Sequence, residues 1–257
     1  MTKWYHIPNT DWLRVRKQYL TASDFKELGP LYDAWQESEA KAATDKRYKP
    51  ASKKAEFEAK VRSIYFNKKC TTIDTYETEA MRRGHCLEPI AVQVYCDGTG
   101  RKLYHWDDAL LVDDDCLSAA SPDALDIPQP DAGVAFNVEG LAPFHAIEVK
   151  CFNVDNHMRN YTAEDKMHID KDVLYQITWQ MLVLDVQDVT VLFFNPGLED
   201  YVMKDYTYTK EDLAAYLDTA MAVEAAYAQL AAKIEAETPR SEFKCASEDV
   251  IAEQFEG

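Results

Sequence analysis

Apolar and polar positions along this chain follow a helical period first, a period of two next, and then both in turn. The stretch WLRVRKQYL, residues 12–20, reads as a helix that Thr10 or Asp11 can cap, and TASDFKEL, residues 21–28, starts a second with Ser23 or Asp24 near its N-terminus. Residues 31–69 keep a helical pattern interrupted by Pro50. From Glu77 to about Cys96 the chain is again helical, with Ile90, Ala91, Val94 and Tyr95 on one side. Three strands follow: KLYHW at 102–106, ALLV at 109–112 running on towards LSAAS, and AIEVKC at 146–151. A helix around VLYQITWQMLVL precedes two β-rich runs, VTVLFF and YVMKDYTY, separated by the turn NPGLED. A last helix over residues 210–235 is capped by Thr209, with Asp212 three positions on. Its stripe of Leu213, Leu217, Met221, Leu230 and Ile234 reads as core or subunit contact. This order predicts an α/β (α+β) fold with a central mixed sheet flanked by helices. One domain is expected over 1–257, with its core at about 12–208, a helix at about 210–236 and a loosely attached acidic tail at 237–257.

Composition narrows the class. In 257 residues, 47% hydrophobic and 12% aromatic content is enough for a substantial core. No run of about 18 uncharged apolar residues is present, and the first residues lack the apolar run of a signal peptide, so a soluble cytoplasmic protein without membrane association is expected. The six cysteines contain no CxxC pair, which argues against a zinc site or disulfide framework and for reduced thiols used mostly in packing. His157 and His168 have no partner at metal-ligand spacing. The net charge of −17 conceals an asymmetry. Residues 1–80 carry 15 basic against 12 acidic side chains, and residues 81–257 carry 13 against 33. Residues 41–69 hold ten basic and three acidic ones, either a solvated helical surface or one that tracks phosphates.

The candidate chemistry lies in SPDAL (121–125) and AIEVKC (146–151), which set charge among apolar residues. A period of two sends Glu148 and Lys150 to one face of their strand and Ile147, Val149 and Cys151 to the other. If the segment carrying Asp123 pairs alongside, two carboxylates converge into a hard-oxygen site suited to Mg²⁺ or Mn²⁺, and the lysine can orient or help deprotonate a water. A salt bridge of Lys150 with Glu148 or Asp123 is the alternative, because any ExK on a strand meets that pattern.

Taken in order, RRGHCLEPIA, SPDAL, EVKC and YQITWQM resemble the core of the PD-(D/E)XK nuclease superfamily, and within it the phage lambda exonuclease and YqaJ-type viral recombinase family. The resemblance implies a restriction-endonuclease-like core. It maps a metal-facing glutamate, four residues after Gly84, to Glu88, and the aspartate of the family's SPDG element to Asp123. The glutamate and lysine of its ELKC element map to Glu148 and Lys150, and a glutamine on the next helix maps to Gln176. WLRVRKQYLTAS is similar to the family's amino-terminal element, which gives Trp12, Arg16 and Ser23. In the relatives that arginine and serine, with the serine before "PD" (here Ser121), hold a terminal 5′ phosphate.

The resemblance further implies that Asp123, Glu148 and the Val149 carbonyl hold two Mg²⁺ ions, with Mn²⁺ as a substitute, that Glu88 supports one of them, and that Lys150 and Gln176 position the attacking water. The implied activity is 5′→3′ degradation of one strand of duplex DNA ends, leaving 3′ tails for a single-strand annealing protein. A homotrimeric ring and a phage or prophage origin in a bacterial cell belong to the same picture. Gln180 reads as a packing or capping polar group. Two departures bear on geometry: Ala124 stands where the family has glycine, and the 24 residues between Asp123 and Glu148 suggest an extended hairpin loop. Rival readings are another nuclease of the superfamily, whether restriction-type or of the CRISPR-adaptation kind, and a catalytically silent DNA-binding module. The CRISPR-adaptation kind is disfavoured for want of its cysteine quartet.

Overall fold

The computed structural model describes residues 2–6, 9–70, 78–106, 109–113, 118–127, 135–137 and 145–238. Strand β1 (Thr2–His6) precedes helix α1 (Asn9–Arg16). The helix stops at Arg16 instead of reaching Leu20, because Leu20–Thr21 leave it as strand β2. Thr21, and neither Ser23 nor Asp24, is the N-cap of α2 (Ala22–Ala42). Asp24 completes the cap from the third position, where its carboxylate accepts from the Thr21 N–H and hydroxyl, both at 2.8 Å. The helical pattern is interrupted at Pro50 as expected: α2 ends at Ala42 and α3 spans Pro50–Lys69, where at the first turn the missing N–H costs no hydrogen bond.

Helix α4 (Glu79–Thr99) starts on Thr78, whose Oγ1 accepts from the Met81 N–H at 3.1 Å, and ends at Gly100 in the left-handed region. Its buried face is Ala91, Val92 and Tyr95, while Ile90 and Val94 are 50% and 42% exposed. Only Ala91 and Tyr95 of the expected stripe therefore face the core. Strand β3 is just Tyr104–His105, and ALLV and LSAAS form two strands, β4 (Ala109–Asp113) and β5 (Ser118–Ala120), paired antiparallel. The short β6 (Ala124–Leu125) follows. The long insertion is more than a hairpin loop, since it contributes β7 (Ala135–Asn137), which pairs antiparallel with β1. Then come β8 (Ala146–Lys150), α5 (Val154–Tyr161), α6 (Lys171–Leu184), β9 (Asp188–Phe194), β10 (Met203–Thr209) and α7 (Ala214–Glu237). Asp212 accepts from the Thr209 N–H and hydroxyl as the sequence predicts, one turn ahead of the regular helix. The expected acidic tail lies outside the described residues from 239 on.

The strands form two five-stranded mixed sheets. The first has the order β2-β5-β4-β1-β7 and the second β10-β9-β8-β6-β3. Among the described residues, only β2–β5 and β8–β9 are parallel pairs. One face of the second sheet, with Ile147, Val149, Leu192 and Phe194, packs on the Ala91, Val92 and Tyr95 face of α4. The other face joins the main core, where α6 is buried on almost every side, as a helix with apolar residues all round must be. On the first sheet, Leu110, Val112 and Ala119 pack under Trp12, Val15 and Tyr19. Its opposite face, with Leu20, Leu111 and Ala120, belongs to the main core, and the Trp179 indole N–H donates to the Ala119 carbonyl at 3.1 Å. Helix α6 thus touches both sheets.

Close approach of α2 to α6 depends on Gly29. A β-carbon there would lie 2.6 Å from the Tyr175 ring, which Asp33 anchors through the phenol at 2.5 Å. Gly29→Ala is expected to destabilise the protein by about 1–3 kcal/mol through overpacking; chemical denaturation would measure this, and an unchanged midpoint would count against the contact.

The basic run at 41–69 is an ion-paired surface. Lys41, Arg47, Lys53, Lys54, Lys60 and Lys69 pair with Glu37, Asp45, Glu56, Glu58, Glu27 and Glu235. The solvated reading fits these residues better than an open phosphate track. Of the cysteines in the described residues, Cys70 and Cys86 are exposed, so packing explains only Cys96 and Cys151. His157 is buried against the Tyr201 carbonyl, which its Nε2 meets at 2.7 Å. No helix of the described residues is long and apolar enough to cross a membrane.

Candidate active site

The two sheets meet the site from opposite sides. On the second sheet, β6 pairs antiparallel with β8, so that Ala124 faces Ile147 and Leu125 faces Ala146. This register places Asp123 beside Glu148. The Asp123 N–H donates to the Ile147 carbonyl at 3.0 Å, and the Val149 N–H donates to Asp123 Oδ2 at 2.6 Å. Ala124 needs no glycine: it is fully buried in β6, and Asp185 is the one non-glycine residue with positive φ among the described residues. The departure from the family's glycine leaves Asp123 in register.

Glu148 and Lys150 share a face of β8, as period two requires, and the Lys150 ammonium donates to Glu148 Oε1. Gln176, from α6, donates to the same oxygen at 2.5 Å. Gln180, one turn further along α6, donates to Glu148 Oε2 at 2.5 Å. Both carboxylate oxygens therefore carry N–H donors. The salt bridge expected as the alternative exists, but inside a cluster it does not account for. Gln180, expected as a packing or capping polar group, is buried and caps the Glu148 carboxylate. The signal was present in the four-residue spacing of Gln176 and Gln180, which puts both on one helix face.

Charge is crowded here. Burial, then the charges of Glu148 and Glu88, push the Asp123 carboxyl well above the usual carboxylate range, against the pull of Lys150 and the Val149 N–H. For Lys150, burial acts to lower the value, but Glu148, Asp123 and Glu88 outweigh it, and the ammonium is held above its ordinary value. The Cys151 thiol is pushed up to about 12 by burial and by Glu88 and Asp123. Glu88 stands half-buried on α4, and a β-carbon on Gly84 would come within 3.3 Å of its carboxylate, so the glycine leaves that side chain room.

Among the described residues, no three His, Cys, Asp or Glu side chains form a ready metal-binding group. The donor chemistry still suits a hard divalent cation. Asp123 and Glu148 are neighbouring carboxylates under the field of a third, and both the burial that chiefly raises the Asp123 value and the added repulsion of Glu148 and Glu88 are what a bound cation would offset.

The first sheet supplies a different environment. Arg16 ends α1, Ser23 lies in the first turn of α2, and Ser121 follows β5. With Thr21, Gln176 and Gln180 they line a small pocket of ≈ 30 Å³ whose lining holds no carboxylate among the described residues. Arg16 donates to Ser23 Oγ at 3.0 Å, and its guanidinium lies 4.8 Å from the centroid of the Trp12 ring. Burial pulls Arg16 below its ordinary value, opposed by the charges of Asp24 and Glu148. Asp24 itself is taken by Lys68 at 2.7 Å. Sequence reasoning missed Lys68, which fixes the corner by also donating to the Tyr19 carbonyl at 2.6 Å. A second, wider cavity of ≈ 330 Å³ opens on the other side of Gln176, lined by Lys26, Lys150, Phe152, Asn156, Arg159 and Asp172 among others.

Comparison with known proteins agrees with this architecture. The alkaline exonuclease LHK-Exo from Laribacter hongkongensis shares the fold, with a TM-score of 0.58 at 20% identity over 89% of this chain and 95% of that one. Its complex with dAMP superposes equally well, with a TM-score of 0.59. A phage-related exonuclease from Haemophilus somnus 129PT is more distant, at 12% identity and a TM-score of 0.48 over 71% of this chain and 84% of that one. The likeness to LHK-Exo shows a shared mixed α/β fold. Residues 11–187 match the YqaJ-like viral recombinase domain, and the chain belongs to that family. No curated protein sequence matches significantly.

Proposed function

We propose that this protein is a Mg²⁺-dependent exonuclease that degrades one strand of linear duplex DNA from its 5′ end and leaves 3′ single-stranded tails. The observation that carries the reading is Arg16. It is a partly buried cation with no ion-pair partner among the described residues, in a pocket without carboxylates that shares two glutamines with Glu148. A desolvated cation left unpaired is costly, so such a pocket favours an anion of phosphate size.

In this reading Arg16, Ser23 and Ser121 hold the terminal 5′ phosphate. Asp123, Glu148 and the Val149 carbonyl would hold the divalent ions, with Glu88 in support. When bound, the metal supplies electrostatic stabilisation of the charge that builds on the phosphoryl group. Lys150, held protonated by its neighbours, acts as a donor that orients the attacking water and not as a base. Gln176 bridges both sides of the site and fixes the Glu148 oxygen that Lys150 also touches. The match to the viral recombinase family and the fold shared with an alkaline exonuclease support the same reading. An annealing protein that receives the 3′ tail, and a ring of three copies around the duplex, complete the proposal.

Timed digestion of linear and covalently closed duplexes in Mg²⁺ tests it. Linear DNA labelled at the 5′ end is expected to lose its label first, and closed circles to persist. Cutting of closed circles, or earlier loss of a 3′ label, would rule the reading out.

A further inference from the structure

We infer that Gln180 is a positioning residue that joins terminal-phosphate recognition to the catalytic carboxylate, through an amide that turns between Glu148 and the phosphate. The inference rests on the reading above that the Arg16 pocket takes a terminal phosphate. Three observations carry it.

The first is burial without satisfaction. Gln180 is 1% exposed, and while its Nε2 donates to Glu148 Oε2, its Oε1 has no hydrogen-bond partner. A buried amide oxygen normally finds a donor, so an unpartnered one beside a cavity indicates that something else completes the site. The second is place: Gln180 lines the ≈ 30 Å³ pocket together with Arg16, Thr21, Ser23, Ser121 and Gln176. Of the remaining polar side chains there, the Arg16 guanidinium, the Ser23 and Ser121 hydroxyls and the Gln176 amide can donate to an anion, while the Thr21 hydroxyl proton goes to Asp24. The third is the distribution of donors on Glu148. Its Oε1 accepts from both Lys150 and Gln176, whereas Oε2 accepts only from Gln180 among the contacts the structure gives.

These facts fit one exchange. A phosphate accepts hydrogen bonds and donates none when fully ionised, so Gln180 can serve it only with its NH₂ group. Half a turn of the amide would deliver that group to the pocket, withdraw it from Glu148 Oε2 and turn the amide oxygen toward that carboxylate instead, an opposition of acceptors that a cation there would relieve. The oxygen so released is the one atom of Glu148 that neither Lys150 nor Gln176 holds, and it becomes available to a cation. Phosphate in the pocket and a metal ion at Glu148 would therefore favour each other, each by the same factor, as binding linkage requires.

The test uses the full chain and Gln180→Leu, with Gln180→Asn as a second variant that keeps an amide but shortens its reach. Thermal melting first establishes that a variant is folded. Fluorescence anisotropy in EDTA then compares 5′-phosphorylated with 5′-hydroxyl duplex. The wild type is expected to prefer the phosphorylated end, and either folded variant to lose at least about tenfold of that preference. Calorimetric titration of Mg²⁺ follows, with protein saturated by a dinucleotide of non-hydrolysable linkage, 5′-phosphorylated or 5′-hydroxyl. In the wild type the phosphorylated dinucleotide tightens Mg²⁺ binding, and in the variants the two ends give equal affinities. A folded variant that retains both the end preference and the coupling to Mg²⁺ overturns the role of Gln180. If the wild type itself fails to distinguish the two ends in EDTA, the phosphate pocket falls, which is a different result from failure of the coupling alone.

Discussion

Asp123→Asn yields a protein that melts higher than the wild type in the absence of divalent ions and that is slower in Mg²⁺ by at least about 10³-fold, about 4 kcal/mol of barrier. Both effects have one origin. Asparagine keeps an oxygen to accept from the Val149 N–H, so the turn into β6 survives, but it removes a charge that burial, Glu148 and Glu88 all disfavour. The sign with pH follows. The carboxyl titrates near 3.8 when unfolded and well above that in the fold, so the folded protein holds this proton more tightly. The stability it contributes is complete below pH 3.8 and is lost as pH rises through the folded value. Metal-free wild type should weaken across that window while Asp123→Asn does not, and each 1 kcal/mol gained should appear as roughly 2–4 °C in Tm. Mg²⁺ should stabilise the wild type and leave the variant almost unmoved. Scanning calorimetry with and without the ion reads all of this; a variant no more stable than wild type at neutral pH would remove the crowding argument.

Arg16→Gln is the second large effect. Charge-assisted contacts to a phosphate contribute about 1.5–3 kcal/mol, so kcat/KM on 5′-phosphorylated duplex should fall by roughly 10–150-fold. Hydrolysis of 5′-hydroxyl duplex should hardly change, because the pocket then has no anion to hold. Equal losses on the two substrates would show that Arg16 supports the fold or the reaction in general. The substitution should be tolerated: the guanidinium has a ring and a hydroxyl for company and no ion pair among the described residues to break.

Much of this was legible in the sequence where local chemistry and periodicity acted together. Alternation alone put Glu148 and Lys150 on one face, and the short segment after SPD does pair with AIEVKC. What escaped depended on tertiary context. Leu20–Thr21 continue an apolar helical pattern, yet pairing with Ser118–Ala119 makes them a strand. Ile90 and Val94 are as apolar as Ala91 and Val92, and only the position of the sheet decides which of them it covers. The four-residue spacing put Gln180 on the helix face of Gln176, but what that face meets, the Glu148 carboxylate, came only with the fold. Division of the strands into two sheets rests on pairings such as β7 with β1, between segments more than a hundred residues apart.

That division gives the tripeptide Ser121-Pro122-Asp123 a second meaning. It is the crossing from one sheet to the other, since β5 ends at Ala120 and β6 begins at Ala124. Proline fixes its own φ and holds the preceding residue extended, so the crossing is stiff. Two residue steps reach at most about 7 Å, and that reach limits how far the Ser121 backbone can stand from the Asp123 backbone. On the function proposed above, the crossing keeps two roles at a short, fixed separation: the serine proposed for the terminal phosphate and the aspartate proposed for the cation.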